Sequence, residues 1–173
     1  SPLGEYDYEL VTPWRVIGSA ALTFQKFGFL SLDYEFVDYS EANFNFGRQG
    51  LTTENEAETN VNNAIDTKYG TASNIRIGGE LVYDVFRFRL GYGIMGSPFE
   101  TGIATGDADY SKNTYSAGVG IKEENFFIDF GYAKSSTTEY DIQYLQPNPD
   151  IPNDGATIDK AVNNFQLSLG FRF

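Results

Sequence analysis

The chain has 173 residues, no cysteine, no histidine and a formal net charge of −12. Without cysteine it has no disulfide or thiolate metal site, and without histidine it lacks the usual catalytic base and the commonest metal ligand. The sequence therefore predicts no enzyme, no metal site and no cofactor, and its acidity disfavours binding to nucleic acid. No segment approaches the roughly 18 apolar residues of a transmembrane helix. No signal peptide is recognisable, so a chain that begins with serine is expected to be mature, processed or incomplete.

Alternation of apolar and polar residues predicts seven β-strands. The first six are expected to pair as three hairpins with short turns, and the sixth is expected to extend as far as about Tyr144. Residues 1–12 are predicted to be the tail of a loop, and residues 40–73, 96–112 and 145–160 to be long polar connections without sustained periodicity. The predicted strands cover residues 13–25, 29–39, 74–83, 85–95, 113–122, 125–136 and 162–173.

The last predicted strand has the strongest pattern. Its apolar side chains alternate with Gln166, Ser168, Gly170 and Arg172, which gives one apolar and one polar face. An apolar edge strand of this kind invites aggregation in water, whereas a strand between lipid and a wet lumen requires the pattern. It also resembles the terminal signal that the barrel-insertion machinery of bacterial outer membranes recognises. The apolar residues of this predicted insertion signal are Phe165, Leu167, Leu169, Phe171 and Phe173.

Short turns alternate with long acidic connections, as they do in outer-membrane barrels. The predicted fold is therefore an all-β antiparallel transmembrane barrel in a bacterial outer membrane, in contact with its lipids. The acidic loops are expected outside the cell and the C-terminus in the periplasm. Aromatic residues at strand ends are expected to form interfacial girdles. They are Trp14, Phe24, Tyr83, Phe86, Tyr92, Tyr132 and Phe173.

Seven strands cannot close a bacterial barrel of the usual even strand number. An open sheet edge also cannot face lipid. The chain is therefore expected to be the C-terminal part of a larger barrel, with the N-terminal half of that barrel as its partner. In an alternative arrangement, residues 1–11 supply an eighth strand and close a small barrel.

Charged residues on the polar faces are predicted to meet in the barrel lumen. They form either a ligand-carboxylate clamp or, as we favour, a salt-bridge network that fills the interior. Arg87 and Arg89 are the best candidates for a ligand-facing basic pair. The predicted network contains Arg15, Asp33, Glu35, Arg76, Glu80, Arg87, Arg89, Lys122, Asp129 and Arg172.

Two further patterns have ordinary explanations. Asp107 and Asp109 in GDADY lack the other ligands of an EF-hand and are expected to be loop residues. Four tyrosines could line the route of a hydrophobic ligand, but girdle or lipid-facing positions are favoured. They are Tyr34, Tyr39, Tyr92 and Tyr132.

Five segments are distinctive in order: TPWR at 12–15, SLDYEFVDYSEANF at 31–44, NIRIGGELVYDVFRFRLGYGIMGSPF at 74–99, YSAGVGIKEENFFIDFGYAKS at 115–135 and LSLGFRF at 167–173. As a series they resemble the C-terminal half of the FadL/TodX family of outer-membrane transporters, particularly members from the Bacteroidetes. The resemblance implies the last seven strands of a fourteen-stranded barrel that carries long-chain fatty acids or related hydrophobic compounds from the lumen to a lateral exit. The family's hatch and most ligand contacts lie upstream, so no family binding residue is assigned here. Some relatives are labelled hemin receptors, but only tyrosine or Met95 could ligate haem in this chain.

Two other functions stay open. A barrel of the same family could be a structural subunit whose acidic loops hold an outer-membrane protein partner. A soluble lipocalin-like barrel would instead turn its apolar face inward around a small ligand.

Overall fold

The computed structural model describes residues 8–46, 52–100, 108–141 and 155–171. Over these residues the chain is an all-β protein with antiparallel strands, as the sequence predicts. One helix, α1 (Thr52–Lys68), and a short 3₁₀ helix (Tyr39–Glu41) accompany the strands. The strands are β1 (Tyr8–Val11), β2 (Arg15–Thr23), β3 (Gly28–Asp38), β4 (Asn43–Phe46), β5 (Thr71–Tyr83), β6 (Phe86–Met95), β7 (Lys112–Lys122), β8 (Phe126–Asp141) and β9 (Ala156–Phe171).

Seven of the strands form one sheet in the order β2-β3-β5-β6-β7-β8-β9. Neighbouring strands are antiparallel throughout, so the sheet is a meander. Each of the seven predicted strands coincides with one of them. Short turns connect β2 to β3, β5 to β6 and β7 to β8 at one end of the sheet, which we call the turn end. The long connections leave from the opposite end, the loop end.

The β2–β3 turn depends on a glycine. Phe24 and Gly28 are linked by a hydrogen bond from the Phe24 amide to the Gly28 carbonyl (2.8 Å). Gly28 has a φ of 138°, which side chains rarely adopt, and a Cβ placed there would lie 1.8 Å from the carbonyl oxygen of Glu80. Because that oxygen belongs to the neighbouring strand, the contact cannot be relieved by rotating a side chain.

We expect Gly28→Ala to lower the free energy of unfolding by at least about 2 kcal/mol, since it adds backbone strain to a clash with β5. Denaturant unfolding followed by the fluorescence of Trp14 measures the loss. Gly18→Ala is the matched control, because no atom lies within 4 Å of the added methyl group in β2. Equal stability of the two variants would contradict the role assigned to Gly28.

Strand β9 begins six residues earlier than the sequence predicts, whereas β8 continues to Asp141, within its expected extension to about Tyr144. Residues 134–141 pair with residues 156–163, so the predicted connection at 145–160 is wrong over its last five residues. Polar side chains occupy both faces of this extension, which removes the alternation that marks the rest of the strands. Its side-chain contacts include a hydrogen bond from Thr138 to Asp159 (2.8 Å) and an ion pair between Lys160 and Glu139 (2.5 Å).

The prediction of an irregular connection at residues 40–73 is also wrong, because this segment contains the 3₁₀ helix, β4 and α1. The side chain of Asn62 in α1 accepts from the Phe44 amide and donates to the Phe44 carbonyl, both at 2.8 Å. Glu58 accepts from the Phe46 amide at 2.8 Å. These bonds satisfy the free edge of β4, so α1 is held by polar contacts rather than by an apolar stripe. No helix among the described residues is long and apolar enough to cross a bilayer.

Residues 8–11 are a strand rather than the tail of a loop. This strand, β1, pairs with β4 in a separate two-stranded sheet, from Tyr8 opposite Phe46 to Val11 opposite Asn43. In the described part of the chain it does not join the seven-stranded sheet. The alternative of an eighth barrel strand from residues 1–11 is therefore wrong for residues 8–11, and residues 1–7 lie outside the described residues.

The described residues enclose little apolar core. The buried hydrophobic side chains among them are Val37, Ala72 and Ala108, of which Val37 and Ala72 belong to the loop end of β3 and β5. The buried polar ones are Glu35 and Asn74, next to them in the same strands. Most large apolar side chains of the sheet therefore have no covering layer in this structure.

Candidate functional site

Strand register separates the side chains of the sheet into two faces, because residues opposite each other in antiparallel strands point to the same side. We call them the apolar face and the polar face. On the apolar face, Phe88 lies between Leu81 and Val119. On the polar face, Arg89 lies between Glu80 and Gly118.

The apolar face is the exposed one. Leu90 is 72% exposed, Phe165 71% and Phe171 74%. Leu167 and Leu169 share this face, so the described part of the predicted insertion signal has its apolar side chains outward, while Arg172 and Phe173 lie outside the described residues. The pattern is the reverse of that in a water-soluble domain, where large apolar side chains are buried.

Three tyrosines on the apolar face repeat one arrangement. They belong to β3, β6 and β8, and each lies six positions after the first residue of its strand. Each hydroxyl bonds to a polar side chain on the next strand, two positions nearer the loop end than the tyrosine's register partner. We call this set the tyrosine ladder. Its pairs are Tyr34–Ser73 (2.9 Å), Tyr92–Asn113 (2.8 Å) and Tyr132–Asn163 (2.8 Å).

The other predicted girdle residues lie on either side of the ladder. Trp14, which precedes β2 at the loop end, contacts Phe36 with ring centroids 5.6 Å apart. Phe24, Tyr83 and Phe86 lie at the turn end, where all three are exposed. Tyr39, the fourth tyrosine considered for a ligand route, lies in the 3₁₀ helix and not on the apolar face. The apolar face is thus bordered by aromatic residues at both ends, as a membrane-facing surface requires.

A row of small side chains crosses the polar face from β2 to β9. In register order it contains Ala21, Ser31, Gly78, Gly91, Ser116, Ala133 and Asn164. All members of the row except Ala21 line a groove of about 590 Å³, which Arg89, Asp129 and Gln166 also line. Small residues leave room above the strands, and charged clusters lie on both sides of the row.

The first cluster surrounds Glu35, which is 5% exposed. Arg15 and Arg76 each bring a guanidinium nitrogen to its carboxylate, at 3.3 Å and 3.1 Å. Asn74 donates to the same carboxylate at 3.4 Å and accepts from the Gly96 amide at 3.1 Å. Sequence reasoning did not single out Asn74, although it faces Glu35 directly in the β3–β5 register. A buried carboxylate with two cations and an amide is a fully partnered structural group.

The second cluster spans four strands. Arg89 of β6 donates to Glu80 of β5 at 2.6 Å and to Asp129 of β8 at 2.5 Å. The second bond passes over β7, where Gly118 and Gly120 face the polar side. A Cβ on Gly120 would lie 2.0 Å from the Asp129 carboxylate, so the glycine makes this bridge possible.

The remaining members of the predicted network are placed differently. Arg87 donates to the carbonyls of Asp84 (2.9 Å) and Phe86 (3.0 Å) in the β5–β6 turn, with Glu80 4.0 Å away. Asp33 faces Arg76 in the register, but that guanidinium turns to Glu35. Among the ion pairs of the described residues, none includes Asp33 or Lys122.

Both arginines proposed as a ligand-facing pair thus have protein acceptors. Arg89 bridges two carboxylates, and Arg87 closes a turn. The arrangement is the one expected of a salt-bridge network that stiffens a polar wall. In the GDADY segment, Asp109 accepts from Ser111 at 2.6 Å, and Asp107 lies outside the described residues. The described residues include no group of three acidic side chains placed to hold a metal ion.

Comparison with known proteins adds no assignment to this geometry. No protein family, curated protein or solved structure matches the chain.

Proposed function

We propose that this chain is an arc of a bacterial outer-membrane β-barrel. Its apolar face contacts lipid, its polar face lines the lumen, its long connections are extracellular and its C-terminus is periplasmic. We further propose that the complete barrel takes up long-chain fatty acids or related hydrophobic compounds passively, with lateral exit from the lumen. The observation that carries the proposal is the exposure of the apolar face between two aromatic borders.

The energetics favour lipid as the neighbour of this face. Apolar surface costs about 25 cal/mol per Å² when it stays in water, and monomeric soluble proteins rarely expose a continuous patch of more than a few hundred Å². Here the exposed face runs over all seven strands, from Val16 in β2 to Phe171 in β9. In contact with acyl chains the same apolar surface does not incur this free-energy cost. The backbone N–H and C=O groups between neighbouring strands are paired by the hydrogen bonds of the sheet.

Strand direction supports a barrel completed by other strands. Because the sheet has seven strands and each neighbouring pair is antiparallel, its two edge strands, β2 and β9, run in the same direction, from the loop end to the turn end. They cannot pair with each other as antiparallel neighbours, and neither can the edges of two copies of the sheet whose loop ends lie on the same side of a membrane. The complement we propose is therefore an odd set of strands whose outer members both run from the turn end to the loop end. Such a complement restores the even strand number of bacterial barrels.

The transport part of the proposal has two supports. One is the resemblance of residues 31–44 and 74–99 to hydrophobic-compound transporters. The other is the groove on the polar face, where the small-residue row leaves space between two charged clusters. Because the guanidinium groups of those clusters are already partnered, we propose that they form the wall of the pathway and do not hold the cargo.

The first test asks whether the intact protein that carries this chain needs detergent for extraction, and whether it transports a fatty acid. We expect it to require detergent, and to migrate differently on a denaturing gel before and after boiling. Reconstituted in vesicles, it should speed the entry of a fluorescent long-chain fatty acid relative to empty vesicles. A protein that stays monodisperse without detergent would contradict membrane embedding and favour the lipocalin-like alternative. A detergent-dependent protein without effect on fatty-acid entry would contradict transport alone.

A second candidate function, docking of an outer-membrane protein partner, is favoured by the structure at the loop end. There Tyr69 stacks on Phe99 (5.1 Å), Phe99 contacts Tyr110 (4.6 Å), and the Tyr110 hydroxyl donates to the Tyr140 carbonyl (3.1 Å). These contacts join the β3–β5 connection, the β6–β7 connection and the loop end of β8 into one surface next to α1. Stoichiometric co-purification of a partner that is lost when α1 is deleted would support docking.

A further inference from the structure

Strand β9 continues beyond the tyrosine ladder at one edge of the sheet. Tyr132 of the ladder lies opposite Phe165, and residues 156–163 pair with residues 134–141 of β8 on the loop-end side of that position. We call residues 156–163 the β9 extension. It is about 25 Å long, at about 3.3 Å per residue. Because β9 is the last strand of the sheet, one side of this extension has no partner strand among the described residues.

The hydrogen bonds of β8 show which way its backbone groups point. The N–H and C=O of a residue in a strand lie on the same side, and that side alternates along the strand. The Phe126 carbonyl accepts from the Glu123 amide at 2.9 Å, and the Thr138 carbonyl accepts from the Tyr110 amide at 2.9 Å. Even-numbered residues of β8 therefore bond towards β7, and odd-numbered residues bond towards β9.

The register transfers this alternation to β9. Odd-numbered residues of β8 lie opposite even-numbered residues of β9, so the even-numbered residues of β9 bond to β8. Its odd-numbered residues direct both backbone groups outward, away from the sheet. In the β9 extension these outward residues are Thr157, Asp159, Ala161 and Asn163.

The β9 extension lacks the features with which proteins keep a strand edge from pairing. Those features include proline, free charges, a bulge and a covering segment. Residues 156–163 contain no proline, and their pairing with β8 is continuous. Asp159 accepts a hydrogen bond from Thr138 of β8 at 2.8 Å. Lys160 pairs with Glu139 of β8 at 2.5 Å, so both charged side chains are engaged by β8. The outward edge is thus open to a further strand.

Three other strand edges at the loop end are closed by the chain itself. Asn62 and Glu58 of α1 bond to the edge of β4. Tyr110 covers the edge of β8 beyond β7, where its hydroxyl accepts from the Tyr140 amide at 3.2 Å. At the opposite edge of the sheet, Pro13 lies two residues before the start of β2 and has no amide to donate. The contrast indicates that the β9 extension is kept open for a strand outside the described residues.

We propose that the β9 extension pairs with one more antiparallel strand, and that this strand continues the complement strand next to β9 in the membrane. The pairing lengthens the barrel wall by about 25 Å along the strands on this side of the mouth. On the other side, β2 begins at Arg15, only three positions beyond Gly18, which faces Tyr34 of the ladder. This inference rests on the proposed barrel and specifies how its complement meets β9 outside the membrane.

Direction and proximity favour the complement strand as the occupant. It runs from the turn end to the loop end, antiparallel to β9, so it leaves the membrane beside the extension. Because its pairing within the membrane already holds it there, it adds hydrogen bonds without the loss of translational and rotational freedom that a separate partner incurs. Exposed backbone groups otherwise bond to water, so each new bond contributes little by itself. A strand already in place is therefore a better occupant than one that must be captured from solution.

Residue-resolved hydrogen exchange of the intact protein in detergent tests the pairing. The outward amides of Thr157, Asp159 and Ala161 are compared with the inward amides of Ile158 and Lys160. We expect the protection factors of the two sets to agree to within about threefold, because both sets are hydrogen-bonded between strands. On a free edge, the outward amides would exchange at least about 100-fold faster than the inward ones.

Ala161→Pro and Ala161→Ser are a matched pair of variants at one outward position. Proline removes the outward amide, and should lower the protection of the Thr157 and Asp159 amides at least about tenfold, since a bond to the partner strand is lost. Serine keeps the amide and should leave that protection unchanged to within about twofold. Boiling-dependent gel migration of each variant checks that the barrel is folded.

The outcomes separate the two proposals. A detergent-dependent protein with rapidly exchanging outward amides would overturn the pairing and leave the barrel proposal intact. Low protection of both sets would overturn it as well, because a strand paired on both sides does not fray. Outward protection that falls when the protein is diluted about tenfold would assign the strand to a second molecule and overturn the complement strand as occupant. A protein that needs no detergent would overturn the proposed function itself.

Discussion

Val119→Arg is expected to lower the free energy of unfolding by about 2–4 kcal/mol when the protein is embedded in lipid vesicles. Val119 lies on the apolar face between Phe88 and Phe130, one row inside the turn-end aromatic border, and is 53% exposed. A guanidinium at this depth must leave water or thin the bilayer around it. If the same face met water, the substitution would change stability by no more than about 0.5 kcal/mol. One variant therefore distinguishes lipid from water as the neighbour of the sheet.

Denaturant titration in vesicles, followed by the fluorescence of Trp14, measures this difference. The control is Gln166→Arg, which adds the same charge on the polar face opposite Gly131. We expect the control to keep its stability to within about 0.5 kcal/mol, because its charge points into the wet groove. Similar small changes in both variants would argue against membrane embedding.

Arg89→Met is expected to cost about 1–3 kcal/mol, because two carboxylates lose a shared charge-assisted partner. The side chains of Glu80 and Asp129 are 17% and 27% exposed, so each carboxylate is partly withdrawn from solvent. Arg89 itself is 41% exposed, which places the expected loss below that of a fully buried pair. Methionine keeps much of the volume of the arginine stem, so the loss reports mainly on charge.

A double-mutant cycle with Asp129→Asn isolates the bridge over β7. We expect a coupling energy between the two positions of about 0.5–2 kcal/mol, measured from the denaturant midpoints of the single and double variants. Lys122→Met is the control, since this lysine lies on the polar face outside the ion pairs of the described residues. Additive effects of the two substitutions would mean that the bridge does not contribute to stability.

The strands and their faces could be predicted from the sequence because each position alternates strictly between two environments. Phe165, Leu167 and Leu169 stand on one side of β9 and Gln166 and Ser168 on the other, and the register preserves that division across the sheet. Charged partners were harder to predict. Asp33 faces Arg76, yet that guanidinium reaches Glu35 two positions away, because long side chains choose partners diagonally.

Helix α1 and the first part of β9, which pairs with the extension of β8, escaped prediction for a common reason. Neither is organised by apolar periodicity, which is the main signal in a single sequence. The helix attaches through Asn62 and Glu58 to backbone groups of β4, and the extension through Thr138 and Glu139 to β9. Such polar contacts form between elements that the fold brings together. The local sequence pattern of either element alone does not predict them.

Under the proposed membrane embedding, the spacing of the tyrosine ladder determines which bilayer thickness fits the apolar face. Six residues separate the start of β3, β6 and β8 from Tyr34, Tyr92 and Tyr132, which is about 20 Å along a strand. Strand tilt reduces the height further, so the apolar band is short compared with the roughly 30 Å hydrocarbon layer of a typical bilayer. Hydrophobic mismatch should therefore slow insertion into vesicles of long-chain lipids and favour short-chain ones. A protein with this ladder would be sorted to a thin membrane by its own dimensions.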